Sequence, residues 1–410
     1  MFAKSASKLL IFYRIAKNRL QILSKISNFA AIMAGIYIHI PFCKSRCIYC
    51  GFYSTTRQEL RQRYVDAVCR ELETRRNYLG NAPIETIYLG GGTPSLLTEA
   101  QLQQLFLYIN KVYDVSPDAE VTLECNPDDV TEMLASAISS LPVNRVSMGA
   151  QTFDNERLRF LHRRHSAEQV SQAVGRLRAA GILNISIDLI YGFPQESLCD
   201  WHHDIDAALA LDVEHLSAYS LMFEEGTPLY RQLEQGQVKE IDEELALQMY
   251  NELTDRLEAA GYEHYEISNY AKRMKGRKGS FRSRHNSSYW NQTPYIGLGA
   301  AAHSYDGNSR QWNISDLSSY IEGIENEHPH FELEQLDEDT SYNDLILTSL
   351  RTCEGLPLTL LTPDLRSYLL EQAQSFIDNG QLVLTPDHRL RLTRQGIFVS
   401  NLVMSQLMKV

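Results

Sequence analysis

From residue 35 onward, short β-branched runs alternate with longer segments whose apolar residues recur at helical spacing. That alternation predicts strand-helix repeats around a parallel sheet. Strands are expected over 35–40, 84–89, 119–124, 145–148, 184–189 and 215–220, and a helix over 62–75, where Tyr64, Val65, Val68 and Leu72 share one face. About six such units curl into an α/β partial (β/α)6 barrel, whose reactive face lies at the C-terminal ends of its strands. Beyond residue 340 the pattern changes to helix-period segments followed by apolar runs at 381–384 and 390–392 around Thr-Pro-Asp-His-Arg, a hairpin signature. Helices plus a wing predict a winged-helix-like C-terminal domain. The acidic stretch around 325–339 reads as a linker. The expected organisation is a basic extension over 1–33, the barrel over 34–225, a pocket-completing extension over 226–325 and the C-terminal domain over 326–410.

A chain of 410 residues, 44% hydrophobic and 22% charged, fits a soluble enzyme-sized core plus an appendage. The net charge of −12 understates the acidity of the body, because residues 1–33 carry six lysines and arginines and no acid. An acidic body argues against a nucleic-acid partner. Residues 9–23 form a basic amphipathic pattern that suits transient membrane-surface contact or a mitochondrial-type transit peptide, unless Met33 is the true start. No run reaches the length of a transmembrane span. Of seven cysteines, Cys69, Cys125, Cys199 and Cys353 are scattered singly, which suggests no disulfide framework and points to a reducing cytoplasm.

The remaining three cysteines carry the chemistry. Cys43, Cys47 and Cys50 fall within eight residues of one another, directly after the first strand. They are one ligand short of a closed four-cysteine zinc site or a fully thiolate-ligated cluster. Three thiolates on a 4Fe-4S cluster leave one iron open to a small molecule; a zinc knuckle completed by His39 or a distant residue, or three buried structural thiols, are the alternatives. Other unusual positions cluster at the expected strand ends. Gly90-Gly91-Gly92-Thr93-Pro94 follows the second strand, where absent side chains allow close backbone approach to a ligand, although a tight turn explains it equally. Glu124 ends the third strand, Gln151 follows the fourth, and Asp188 lies in the otherwise apolar fifth, where a carboxylate needs a partner or a function. Arg163 offers a bidentate fork. Farther on, His285, Tyr289 and Trp290 pair an imidazole with flat apolar surface, a combination suited to a haem, or else to a hydrogen-bonded core. Lys272, Arg273, Lys275, Arg277, Lys278, Arg282 and Arg284 precede or enter that motif and are expected to meet propionates, an acidic partner face or solvent.

The cysteine spacing resembles that of the radical S-adenosylmethionine superfamily. With Tyr-Ile-His-Ile-Pro-Phe-Cys, Gly-Gly-Gly-Thr-Pro-Ser, Gly149-Ala-Gln-Thr-Phe, Asp-Leu-Ile-Tyr-Gly-Phe-Pro and Tyr265-Glu-Ile-Ser-Asn, the chain from about residue 35 to its end resembles the oxygen-independent coproporphyrinogen III oxidase family. The resemblance implies a radical-SAM barrel, a cluster on Cys43, Cys47 and Cys50, and S-adenosylmethionine contacts at Tyr37, Tyr49, Gly91, Gly92, Thr93, Glu124, Gln151, Arg163 and Asp188. One departure is telling. The oxidase has a further cysteine two residues after the third, and Phe52 stands there instead. His285-Asn-Ser-Ser-Tyr289-Trp290 is similar to the motif of the HemW heme chaperones, which implies haem binding and delivery to respiratory haemoproteins. Oxidase or dehydrogenase activity in porphyrin biosynthesis is the alternative, which Phe52 disfavours.

Overall fold

The computed structural model describes residues 33–274 and 279–409. The basic extension, apart from Met33, and Lys275, Arg277 and Lys278 therefore lie outside the described residues. All six expected strands are present as β1 (Ala34–Ile40), β2 (Ile84–Gly91), β3 (Val115–Cys125), β4 (Arg145–Gln151), β5 (Asn184–Tyr191) and β6 (His215–Ser220). They pair in parallel and in chain order. Between them run α1 (Arg61–Thr74), α2 (Glu99–Val112), α3 (Glu132–Ser140), α4 (Asn155–Phe160), α5 (Ala167–Ala179) and α6 (Leu198–Ala210). The apolar stripe of α1 behaves as its spacing dictates, with Tyr64, Val65, Val68 and Leu72 all buried. Thr98 and Gln101 form a reciprocal capping box that sets the start of α2. The result is the α/β partial barrel expected from the alternation.

The sheet continues past both edges of these six strands. After α7 (Pro228–Glu234) and α8 (Glu243–Ala259), β7 (Tyr262–Glu266) and β8 (Asn269–Lys272) form a hairpin, with β8 antiparallel to β6. On the other edge β9 (Tyr295–Leu298) lies parallel to β1, followed by β10 (His303–Tyr305), β11 (Ser309–Asn313) and β12 (Phe331–Gln335). Twelve strands thus share one sheet in the order β12-β11-β10-β9-β1-β2-β3-β4-β5-β6-β8-β7. The linker expected around 325–339 is partly strand, because β12 pairs antiparallel with β11 over Ser309 to Asn313. Its Phe-Glu-Leu-Glu-Gln sequence is held by backbone bonds on an exposed edge, so its acidity disguised it.

Between the two edges, α9 (Arg284–Trp290) packs across the N-terminal half of β2 and β3. The backbone N–H groups of Arg284 and His285 donate to the Glu120 carboxylate at 3.1 and 3.0 Å, a negative charge at a helix N-terminus. Thr86 and Glu120 are register partners in β2 and β3, so one helix start is fixed by two adjacent strands. The chain then passes through α10 (Leu317–Glu325) to a second core built on Tyr342, Ile346, Leu369 and Met404. It contains α11 (Glu338–Ser349), α12 (Pro363–Asp378) and a three-stranded sheet of β13 (Leu356–Pro357), β14 (Leu382–Leu384) and β15 (Arg389–Leu392). The β14–β15 pair is the expected hairpin. Among the described residues no helix is long and apolar enough to cross a membrane.

Candidate functional site

A cavity of about 530 Å³ opens at the C-terminal ends of β1–β6. Its size is ordinary for a small-molecule site. Cys43, Cys47, Tyr49, Cys50, Gly91, Gly92, Thr93, Glu124, Gln151, Arg163 and Asp188 all line it, so five strand ends and one loop converge as the barrel rule requires.

The cysteine loop is held to the barrel by backbone bonds. Cys43 N–H donates to Thr55 at 2.9 Å, Ile48 N–H to Leu161 at 3.3 Å, and Leu229 N–H to Ile48 at 3.0 Å. Ile48 is buried with Leu161, Phe193 and Leu221, with Tyr49 packed alongside. All seven cysteines are free thiols. Burial raises the Cys43 thiol and pushes Cys50 up to about 11. Thr93 Oγ1 donates to Cys43 Sγ and Arg163 Nη1 to Cys47 Sγ, both at 3.5 Å. Donors aimed at sulfur and three thiols on one cavity fit a thiolate-bound cluster. The zinc alternative through His39 does not fit. His39 is buried, its Nδ1 accepts from Tyr37 at 3.0 Å, and its Nε2 donates to the Tyr53 carbonyl at 2.9 Å.

The glycines are there for close approach. A Cβ on Gly92 would lie 2.8 Å from the Ile40 carbonyl oxygen, and Gly92 N–H donates to that oxygen at 2.8 Å. At Gly149 a Cβ would meet Gln151 Nε2 at 2.4 Å and Arg163 Nη2 at 3.0 Å. Between Gly149 and Gln151 the β4–β5 register shifts, and Gln151 takes a left-handed φ of 69°, uncommon for a residue with a side chain. After α4 a second left-handed residue, His162 with φ 60°, turns the chain so that Arg163 re-enters the cavity. There Arg163 Nη2 donates to Asn126 Oδ1 at 2.7 Å and to the Gly149 carbonyl at 2.6 Å.

Two carboxylates face one another across this space. Glu124 accepts from Tyr88 Oη at 2.7 Å and from Gly91 N–H at 3.1 Å. Burial pushes its carboxyl up to about 7, with the Asp188 charge adding to the shift. Burial likewise raises Asp188 to about 6, against the pull of Ser217, Arg145 and Arg163.

Several expected residues are placed elsewhere. Tyr37, expected at the S-adenosylmethionine site, does not line the cavity. It lies three residues before the end of β1, inside the partial barrel against His39, Tyr88 and His285. His285, expected to face a haem, is buried beneath the cavity with Nδ1 bonded to Thr86 Oγ1 and Nε2 to Tyr289 Oη, both at 2.8 Å. Neither ring nitrogen presents a lone pair to an iron in this arrangement. Burial and the Arg145 charge lower its pKa to about 3. Tyr289 shares that interior stack, whereas Trp290 turns out under Arg351, whose guanidinium lies 4.6 Å from its ring. The three thus form no common haem-facing surface. The described part of the basic run is spent on this chain's own acids. Lys272 pairs with Asp212, Arg273 with Glu263, Arg282 with Glu263 and Glu354, and Arg284 with Glu85. The Tyr265 motif is likewise internal, its hydroxyl bonded to His215 Nε2 at 2.8 Å.

Tyr88, Asn126 and Arg145 are among the cavity residues that residue type and spacing did not single out. Asn126 bridges Arg163 and Thr93. Arg145 had a visible signal, a cation in an apolar strand, the same logic that singled out Asp188.

Comparison with known proteins agrees with this geometry. The Radical SAM superfamily model matches residues 37–208. Heme chaperone HemW of Bacillus subtilis is 35% identical over 79% of this chain and 85% of its own length. Its Mycobacterium tuberculosis counterpart is 35% identical over 91% and 94%. Radical S-adenosyl methionine domain-containing protein 1, mitochondrial, from Bos taurus is 30% identical over 89% and 85%. Coproporphyrinogen III oxidase HemN from Escherichia coli, a solved structure, shares the fold with a TM-score of 0.79 at 20% identity, covering 94% of this chain and 92% of that one. The chain has the fold of a radical SAM protein. Within that superfamily, the chain belongs to the HemW family.

Proposed function

We propose that this protein is a radical-SAM haem chaperone: it carries a 4Fe-4S cluster on Cys43, Cys47 and Cys50, binds S-adenosylmethionine in the cavity beside them, binds haem, and transfers it to an acceptor haemoprotein. The observation that carries the reading is the convergence of the three thiols with Glu124, Gln151, Arg163 and Asp188 on one cavity. Phe52 supports the chaperone over the oxidase, since it stands 69% exposed on the cavity where the oxidase pattern places a fourth thiol. When bound, the cluster supplies an electron to the sulfonium. The chain's own part is positional: Thr93 and Arg163 donate toward the sulfurs, the glycine turn admits the ligand, and Glu124 and Gln151 offer it polar contacts. A cytoplasmic setting, and an acceptor in the respiratory machinery met near a membrane surface, complete the reading.

The experiment is anaerobic haem titration of the reconstituted full chain, followed by absorption, beside Cys47→Ala and His285→Ala. Stoichiometric haem binding that survives Cys47→Ala supports a haem site separate from the cluster. Absent haem binding, together with porphyrinogen-dependent 5′-deoxyadenosine formation, would instead return the protein to the oxidase class.

A further inference from the structure

Arg145 opens β4 and is 1% exposed, one of the largest fully buried side chains. Its Nε has no hydrogen-bond partner, and its guanidinium forms no ion pair among the described residues. Yet it lines the cavity. Arg163, another cavity arginine, shows what a satisfied guanidinium looks like here, with Asn126, Gly149 and Cys47 as acceptors. A buried cation without such contacts is costly, so its retention implies an anion that arrives with a ligand. Glu124 feels the Arg145 charge but forms no hydrogen bond or ion pair with it, its oxygens accepting from Tyr88 and Gly91 instead. Below, His215 is tied to Ser186 and Tyr265, and His285 to Thr86 and Tyr289, so neither offers a free acceptor. Of the remaining groups on this floor, Ser147, Ser217 and Asn286 are neutral and hydrogen-bonding, and Asp188, whose carboxyl the Arg145 charge holds down, forms no hydrogen bond or ion pair with it among the described residues.

We propose that the cavity floor is a carboxylate-binding subsite in which Arg145 holds a propionate of the tetrapyrrole. The site's chemistry rests on Arg145, and the ligand's identity on the haem-chaperone reading above. The cavity mouth suits the rest of such a molecule. Phe52, Tyr219 and Met222 line it at 69%, 42% and 70% exposure, an apolar rim above a floor that holds the unpaired Arg145 guanidinium. A macrocycle with acidic side chains has both complements, and a charge-assisted, bidentate guanidinium–carboxylate contact supplies the orientation.

The test uses anaerobically reconstituted full chain, wild type beside Arg145→Gln, Arg145→Lys and Arg145→Met, titrated with haem and with haem dimethyl ester. Wild type is expected to prefer the diacid by about tenfold or more. Arg145→Gln and Arg145→Met should bind diacid and diester alike, and Arg145→Lys should keep part of the preference. Unchanged preference in the Gln and Met variants, or none in wild type, overturns the subsite while leaving haem binding intact. Succinate separates the two readings: if wild type binds neither tetrapyrrole but its melting is raised by succinate and that of Arg145→Gln is not, the haem reading fails and the carboxylate site stands. Loss of S-adenosylmethionine affinity in Arg145→Gln with haem affinity unchanged would overturn the propionate assignment. Melting of the ligand-free protein gives an independent readout. Removing an unpaired buried charge in Arg145→Met should raise the melting temperature, whereas a fall would make Arg145 a structural ion and defeat the proposal.

Discussion

The two ends of the partial barrel use similar residue types to opposite effect. At the cavity end, Cys43, Cys47, Cys50, Arg145 and Gln151 line open space, and Gln151 holds a left-handed backbone to do so. At the opposite end, His285, Thr86, Tyr289, Glu120 and Arg284 are linked to one another and to the strands by hydrogen bonds. Both ends carry histidine, tyrosine and arginine in motifs that look like ligand sites. What separates them is unused bonding capacity facing a cavity: buried polar groups are normally paired, so those left open mark where a ligand belongs.

The largest break of this comparison is at the thiols. Cys47→Ala is expected to drop the iron content and visible absorbance of the reconstituted protein to background with unchanged far-UV dichroism, because the sulfur lines the cavity and no core depends on it. His285→Ala should do the reverse. It leaves Thr86 and Tyr289 facing a buried gap at a cost of about 2–4 kcal/mol, read by denaturant unfolding, while iron loading is retained.

The pH dependence sharpens the contrast, since the two ends carry opposite signs. His285 has a folded pKa of about 3, below the 6.5 of a free histidine. Between those values the unfolded chain binds more protons there, so wild-type stability falls as pH drops through the window. His285→Gln lacks that loss, and its melting temperature relative to wild type should rise as pH falls from about 7 to 4. Glu124 has a folded pKa of about 7, above the 4.5 of a free glutamate. Here the folded chain binds more protons, and wild type loses stability as pH rises from 4.5 to 7. Glu124→Gln should therefore gain relative to wild type as pH rises, each effect being on the order of 1–3 kcal/mol. Parallel rather than opposed pH trends would erase the distinction between the ends. The smallest effect is expected at Lys44→Ala. Its 2.8 Å pair with Asp129 ties the cysteine loop to the loop after β3, but the lysine is half exposed. The change should cost less than about 1 kcal/mol and leave iron loading intact.

Strand-helix alternation and cysteine spacing are local properties, so they were legible in the chain itself. β-branched runs report strands, helical stripes such as Tyr64–Val68–Leu72 report buried faces, and Cys43, Cys47 and Cys50 sit close enough in sequence to be read as one group. The rule that strand ends carry the chemistry then placed Gly91, Gly92, Thr93, Glu124, Gln151 and Asp188 on one cavity. Three things depended on tertiary contacts. The β12 edge strand is held by backbone pairing that its acidic side chains do not announce. His285 was suggestive as a sequence, but its role turns on Thr86, 199 residues away, whose hydroxyl occupies a ring nitrogen. Arg145 shows in the sequence only as a cation at the head of an apolar strand; the fold buries it and gives its Nε no acceptor. Residue type and spacing determined which groups were able to bind a ligand; only the tertiary structure, by pairing some and leaving others open, decided which are free to.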